Sequence, residues 1–391
     1  MRVNHIRLLL LFLSTAAVVS VRAQTPQTTQ EPQILRSPEV SSDNRATFRL
    51  RAPNAKDVSL ALEGAKPVPM QKDAQGVWAV TLGPLEPDLY GYSFLVDGVS
   101  QIDPSNPRVS DLIHTVVPQF VPTQSMLHIP GRTLLPWEVA DVPHGIIHQH
   151  FFKSNVTGDI RDFYVYTPPG YDPLKKQSYP VLCLLHGYSD DASGWIIAGR
   201  ANLILDNLIA QGKAKPMILV MPLGYGTPEA LSRGFQMFRD DSLRKRNFDL
   251  FRESLLNEVL PQVEKHYAVS KDGQSWAIAG LSMGGAESLL TGLNATNRFA
   301  WVGSFSAGGL DEDFAAAFPE LDARANNLLQ LLWIACGKDD GLLEINRKFG
   351  VWLSSKGVHY TQVETSGGHT WMVFRRSLAT FVPLLFQSSS Q

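Results

Sequence analysis

From Gly145 onward the chain repeats one device: a short continuous apolar run, a stretch with helical spacing, then another apolar run. The runs are PVLCLLHG, PMILVMPLG, SWAIAGLS, AWVGSFSAG, LLWIACGKDD and HYTQVETSGG; between them lie RANLILDNLIAQG, FRESLLNEVLPQVEKHY and the segment from Met283 to Leu293. An unbroken apolar run flanked by turn residues suits a strand covered on both faces, and strands that alternate with helices are joined by crossovers and lie parallel. The pattern predicts an α/β fold over residues 145–388, a doubly wound, mostly parallel sheet, with GIIHQHFF and RDFYVYTPPGY as an opening pair of strands.

At 391 residues the chain is longer than a single hydrophobic core sustains, and what precedes Gly145 has a different grammar. Residues 42–107 contain ATFRLRAP, DVSLALEG, GVWAVTLG and YGYSFLVDG, short alternating runs separated by Pro, Asn, Asp and Gly. They predict a small all-β sandwich. Residues 108–144 are Pro-rich but carry Phe120, Leu134, Leu135 and Trp137, which predicts an ordered, packed connector and not a free linker. Residues 24–41 read as a disordered leader. Residues 1–23 combine Arg2 and Arg7, an apolar run from Leu8 and the small-residue pattern Val21-Arg22-Ala23. That signal-peptide layout predicts cleavage after Ala23 and a secreted or periplasmic product. The run is short for a membrane span, so no stable anchor is expected, and a retained one is the alternative.

Charged residues make up 18% of the chain and the formal charge is −2; the leading segment holds Arg2, Arg7 and Arg22 and no acid, so its removal leaves a more acidic protein. Nothing in this balance suits nucleic acid. Cys183 and Cys336 each sit inside an apolar run and read as buried small hydrophobes, not as a disulfide. No Cys/His spacing or acidic loop predicts a metal site, and no cofactor is expected. The oligomeric state is left open.

One turn in the α/β half is chemically loaded. AIAGLSMGGAES sets Ser282 between Gly280 and Gly284, after the apolar run SWAIAGL and before a helical stretch. A strand that turns sharply into a helix through G-x-S-x-G pushes the serine hydroxyl clear of the sheet, and bulky neighbours would collide there. A serine hydroxyl is a weak nucleophile until an imidazole takes its proton, and the imidazole needs a carboxylate to fix its tautomer. In this fold class the order along the chain is Ser, acid, His. Asp339 and Asp340 follow the run LLWIACG and both are candidates for the acid. Of the two histidines beyond them, His359 begins a strand and reads as structural, whereas His369 stands in the loop ETSGGHTW and is the expected base. The oxyanion site should combine the N–H of Met283 with that of Tyr188, which Gly187 turns inward after PVLCLLHG. His186 reads as a holder of that loop. Trp195 and Trp371 are candidates for lining an acyl pocket, with packing as the alternative.

With LLHG, GLSMGG, IACGKDD and SGGHTW in order, residues 145–386 resemble the esterase D-like α/β-hydrolases, and within them carbohydrate esterase family 1, the feruloyl and acetylxylan esterases. The resemblance implies a triad of Ser282, Asp340 and His369; the family's G-x-x-D, here Gly337 to Asp340, favours Asp340 over Asp339. VWAVTLGPLEPDLYGYSFLVDG followed by DPSNP resembles the immunoglobulin-like early-set domains grouped as family 48 carbohydrate-binding modules. A similar sandwich precedes the esterase domain of enterochelin esterases. Trp78, Tyr90, Tyr92 and Phe94 are its candidates for stacking on sugar, although strand alternation makes core packing the stronger reading. The expectation is a secreted serine esterase that removes ester decorations from plant polysaccharide, feruloyl groups of arabinoxylan first. Acetylxylan or siderophore esterase activity is the alternative among enzymes, and an inactive hydrolase fold that binds glycan is the alternative outside them.

Overall fold

The computed structural model describes residues 35–106, 108–110, 124–175 and 177–387. The signal-peptide reading of residues 1–23, most of the leader and Phe120 of the connector lie outside the described residues.

The N-terminal part is built of short strands: β1 (Glu39–Val40), β2 (Ala46–Arg51), β3 (Val58–Leu62), β4 (Val68–Pro69), β5 (Gln71–Lys72), β6 (Val77–Leu82), β7 (Asp88–Val96), β8 (Val99–Gln101), β9 (Val109–Ser110) and β10 (Gln124–Ile129). Among the described residues they form two antiparallel sheets, β1-β2-β6-β5 and β4-β3-β7-β10-β9, with β8 on β7. Strict alternation sends Ala46, Phe48 and Leu50 of β2 and Val58, Leu60 and Leu62 of β3 to one shared core. Trp78, Tyr90, Tyr92 and Phe94 are buried in that same core, where the Trp78 indole N–H reaches Ala52 O at 2.9 Å.

The sandwich extends beyond both expected ends. β1 pairs with β2 inside the segment read as leader. β10, inside the segment read as connector, lies between β7 and β9 and buries Ser125, Leu127 and Ile129 on alternate positions. The prolines around QSMLHI hide that alternation from a reading of the sequence. Farther along the connector, Trp137 is buried in the larger core, whereas Leu134 is exposed.

The α/β part runs β11 (Ile146–Lys153), β12 (Ile160–Thr167), β13 (Val181–Leu185), α1 (Gly194–Ile197), α2 (Ala201–Ala210), β14 (Ile218–Pro222), α3 (Pro228–Ser232), α4 (Asp241–Ser254), α5 (Leu260–His266), β15 (Trp276–Leu281), α6 (Met283–Leu293), β16 (Trp301–Phe305), α7 (Phe314–Ala317), β17 (Leu331–Gly337), α8 (Leu343–Ser355), β18 (Thr361–Thr365) and α9 (Trp371–Phe381). The strand order is β11-β12-β14-β13-β15-β16-β17-β18. β12 is antiparallel to β11 and β14, and the rest are parallel. β13, β14, β15 and β16 are buried along their whole length, as continuous apolar runs require. β18 departs from the expectation of two covered faces: it is the edge strand, and its Thr361 and Gln362 are exposed. Cys183 and Cys336 are buried and unbridged.

The register decides where chemistry can gather. Leu185 pairs with Gly280, Leu281 with Phe305, Phe305 with Ala335 and Gly337 with Thr365, so β13, β15, β16, β17 and β18 end at one edge of the sheet. Loops that leave the carboxyl ends of neighbouring parallel strands share one crevice.

Candidate active site

Ser282 caps α6 at the end of β15 with φ 53° and ψ −116°, a conformation that side-chain-bearing residues rarely adopt. Two backbone bonds hold it: Ser282 N–H to Phe305 O and Gly308 N–H to Ser282 O, both 2.9 Å. The flanking glycines are required by contact. A Cβ on Gly280 would lie 2.3 Å from Gly284 O, and one on Gly284 would lie 2.4 Å from His186 O and 2.6 Å from Leu185 O. The strand-turn-helix therefore packs backbone to backbone against the end of β13.

At the same edge, His369 Nδ1 lies 2.8 Å from Asp340 Oδ2, while Asp340 Oδ1 accepts from Leu342 N–H at 2.9 Å. Burial pushes the Asp340 carboxyl up, but the hydrogen bonds from His369 and Leu342 outweigh it and hold the group below the usual carboxylate range. An ionised acid is what orients an imidazole through Nδ1 and leaves Nε2 free to accept a proton. Asp339 is exposed, and its carboxylate accepts from Gly367 N–H at 3.3 Å. His359 is exposed on the far side of β18's start, where its N–H donates to Asn326 Oδ1.

Ser282 and His369 line one cavity of about 310 Å³, together with Tyr188, Asp190, Leu281, Trp371, Phe374 and Arg375. Among the described residues no hydrogen bond joins Ser282 Oγ to His369, and proton transfer from the serine requires the two side chains on this cavity to come within hydrogen-bond reach. The backbone N–H groups of Met283 and Tyr188 likewise donate to no other group among the described residues. The loop carrying Tyr188 touches the elbow: a Cβ on Gly187 would lie 3.3 Å from Ser282 Cβ. Such an edge can bind an acyl group beside a serine and offer donors to the oxygen of a tetrahedral adduct.

His186 has both ring nitrogens engaged. Gly224 N–H donates to Nε2 at 2.8 Å, so Nδ1 carries the proton and donates to Gly187 O at 2.8 Å. Burial lowers this imidazole to about 4, and it stays neutral as a brace for the loop. Trp195 does not reach the cavity. It is fully buried, its indole N–H bonds to Leu185 O at 2.8 Å, and its ring meets Trp371 edge-on at 5.2 Å. The expectation that both tryptophans line the pocket is corrected to Trp371 alone, because α1 turns Trp195 into the core to back it.

Three groups at the cavity were not singled out from the sequence. Asp190 opens on it; burial first, then the neighbouring Asp191, pushes its carboxyl up to about 8, against the Gly187 N–H. The other two come from the seam with the sandwich. Glu63, at the end of β3, accepts from Trp371 N–H at 2.7 Å and from Gly91 N–H at 2.9 Å. Arg375 of α9 is fully buried, bonded to Ala198 O at 2.8 Å and to Asp88 at 3.0 Å; Arg376 takes the other Asp88 oxygen at 2.9 Å. Gly91, Gln124 and Met126 of the sandwich also face the cavity. The doubled aspartate of GYSDD was the one visible signal; Glu63 follows an ordinary strand and gives none.

The Esterase family model matches residues 154–385. An endo-1,4-beta-xylanase/feruloyl esterase from Xylanibacter ruminicola is 31% identical over 358 residues, 90% of this chain and 46% of that protein, so the chain spans less than half the length of this relative. An acetyl esterase from Caldicellulosiruptor saccharolyticus is 22% identical over 53% of this chain and 83% of its own. Among solved structures, a CE1 ferulic acid esterase from Anaeromyces mucronatus is similar with a TM-score of 0.56, 24% identity and coverage of 64% of this chain and 93% of that one. An enterochelin esterase from Shigella flexneri is similar with a TM-score of 0.65, 18% identity and coverage of 90% and 95%, which takes in the sandwich as well as the α/β part.

Proposed function

The chain belongs to the Esterase family, and from that premise we propose that it is a serine carboxylesterase acting on ester-decorated plant polysaccharide, with feruloyl groups of arabinoxylan as the preferred acyl groups. Ser282 attacks the ester carbonyl, and His369, oriented by Asp340, takes the serine proton and passes it to the leaving sugar alkoxide. Water then attacks the acyl-enzyme by the same route in reverse. Met283 and Tyr188 N–H groups hold the oxyanion in both halves. The observation that carries this reading is the 2.8 Å His369–Asp340 contact on the rim of a cavity that Ser282 also lines.

The acyl preference rests on the cavity's walls and on kinship. Trp371 and Phe374 give flat aromatic surface, Leu281 and Met126 add apolar walls, and about 310 Å³ accommodates an aromatic acid of modest size. The relative from Xylanibacter ruminicola carries feruloyl esterase in its name. The signal-peptide layout of residues 1–23 supports an exported enzyme with access to polymer. The sandwich resembles family 48 carbohydrate-binding modules, but Trp78, Tyr90, Tyr92 and Phe94 lie in its core, so any sugar would have to bind elsewhere on it. A second reading, hydrolysis of a catecholate siderophore ester, draws on the likeness of both modules to the enterochelin esterase fold. Product analysis with feruloylated arabino-oligosaccharide, acetylated xylan and a catecholate siderophore separates them. Ferulate is expected as the fastest-released acid, and faster release from the siderophore would replace the first reading with the second.

A further inference from the structure

His369 lies in a short loop between β18 and α9, and carboxylates tie that loop at both ends. On the strand side Asp339 holds Gly367: its N–H donates to Gly367 O at 3.1 Å, and its side chain takes the Gly367 N–H. On the helix side the tie comes from the other module. Thr370 caps α9 but its side chain makes no capping bond. The first N–H of the helix, on Trp371, is taken by Glu63, 308 residues earlier in the chain. The opening N–H groups of a helix have no partner within it, and a carboxylate there is favoured by the helix dipole as well.

Glu63 is itself fixed. Its second oxygen accepts from Gly91 N–H, its own N–H donates to Gly91 O at 2.8 Å, and Arg375 and Asp88 stand close enough to act on its charge. Burial raises its carboxyl, with Arg375 and the two N–H groups opposing. The rest of α9 is gripped from the same side: Asp88 pairs with Arg375 and Arg376, and Met372 packs on the sandwich core.

We propose that Glu63 is a positioning residue for His369: the N-terminal sandwich, by capping α9 from outside, sets where the base stands relative to Ser282. This rests on the serine-esterase reading above. The sandwich is then part of the catalytic unit whatever else it binds. A shift of the loop changes the geometry of proton transfer in the transition state, so its cost falls on turnover for any ester.

The test uses the full chain with Glu63→Ala, Glu63→Gln and Ser282→Ala, with kcat and KM measured on p-nitrophenyl acetate and methyl ferulate and Tm recorded for each. Glu63→Ala is expected to lower kcat about 10- to 100-fold on both esters with KM within about threefold. Glu63→Gln keeps one acceptor oxygen, which serves Trp371 N–H while its NH2 faces Gly91 N–H, so its kcat should fall clearly less than that of the alanine variant, to within about tenfold of wild type. Should the alanine variant be insoluble, Glu63→Leu keeps the bulk, removes the acceptor and carries the same comparison. Unchanged kcat in the folded alanine or leucine variant overturns the proposal. So does an effect confined to KM for methyl ferulate, which would make Glu63 a substrate contact, and so does equal loss in the glutamine variant. Wild-type turnover by Ser282→Ala would overturn the esterase reading and this proposal together; an inactive Ser282→Ala beside a normal Glu63→Ala overturns the proposal alone.

Discussion

Asp339 and Asp340 are neighbours in one loop, and the end of β17 separates their roles: Asp340 turns inward to His369, while Asp339 stays exposed and ties Gly367. Asp340→Asn should cost on the order of 10⁴ in kcat, because the imidazole would be held in the wrong tautomer. Asp339→Asn, which keeps an acceptor for Gly367, should cost less than about tenfold. The reverse ranking in steady-state kinetics would reassign the acid. Asp190 supplies the pH-dependent test. Its folded-state value of about 8 lies above the ordinary carboxylate value, so the folded protein keeps a proton that the unfolded chain releases. Its contribution to stability is therefore whole below about pH 4 and is lost as pH rises to about 8. Asp190→Asn removes this titration. Because the side chain opens on the cavity and is partly screened, the variant should gain about 1–3 kcal/mol on wild type between pH 4 and pH 8. Urea unfolding at the two pH values measures it, and a difference that does not change with pH contradicts the protonated assignment. The sequence pointed to Ser282, His369 and the Asp pair because their chemistry requires a local pattern. It could not point to Glu63, whose role depends on a contact across 308 residues.

At the level of elements, the legible ones were those whose environment leaves a periodic mark. β13 to β16 are covered on both faces and read as apolar runs, and α6 spans Met283 to Leu293 as its pattern predicts. β18 was mistaken for a covered strand because the run preceding SGG contains Tyr360 and Val363; only its sheet position shows that it is an edge. The run FRESLLNEVLPQVEKHY reads as a single helix, yet it passes through a π-helical turn at Leu255–Val259, and α5 restarts with Pro261 at its opening, where a missing N–H is tolerated. The elbow between β15 and α6 gives the prediction at this scale. Gly284→Ala places a methyl group 2.4 Å from His186 O, against backbone that has no soft side to yield. Loss of more than about 3 kcal/mol in chemical unfolding, or of soluble protein, is expected. A stable and fully active alanine variant would show that the close packing against β13 is not what fixes the elbow.

For the whole molecule, the two modules meet through α9, the helix that follows His369, and the contacts are buried ones. Asp88 and Arg375 are both fully buried, so removing Asp88 leaves a guanidinium without its charge partner, at a cost of about 3–5 kcal/mol. A chain beginning near Val142 would expose this seam, Met372 and part of the cavity at once. It is expected to be poorly soluble and impaired on methyl ferulate and p-nitrophenyl acetate alike; a soluble truncation with unchanged kcat and KM would make the sandwich a separable targeting module. The burial of Trp137 was legible in the sequence, whereas the extent of the sandwich was not, since β10 lies among prolines and pairs with β7, more than twenty residues back. The central claim is that an acyl-enzyme forms on Ser282. Its most direct test is turnover of methyl ferulate by full-length Ser282→Ala, with circular dichroism to establish its fold. Loss of kcat by about 10⁴-fold or more in a folded variant is the predicted result, and turnover near that of the wild type would contradict the account.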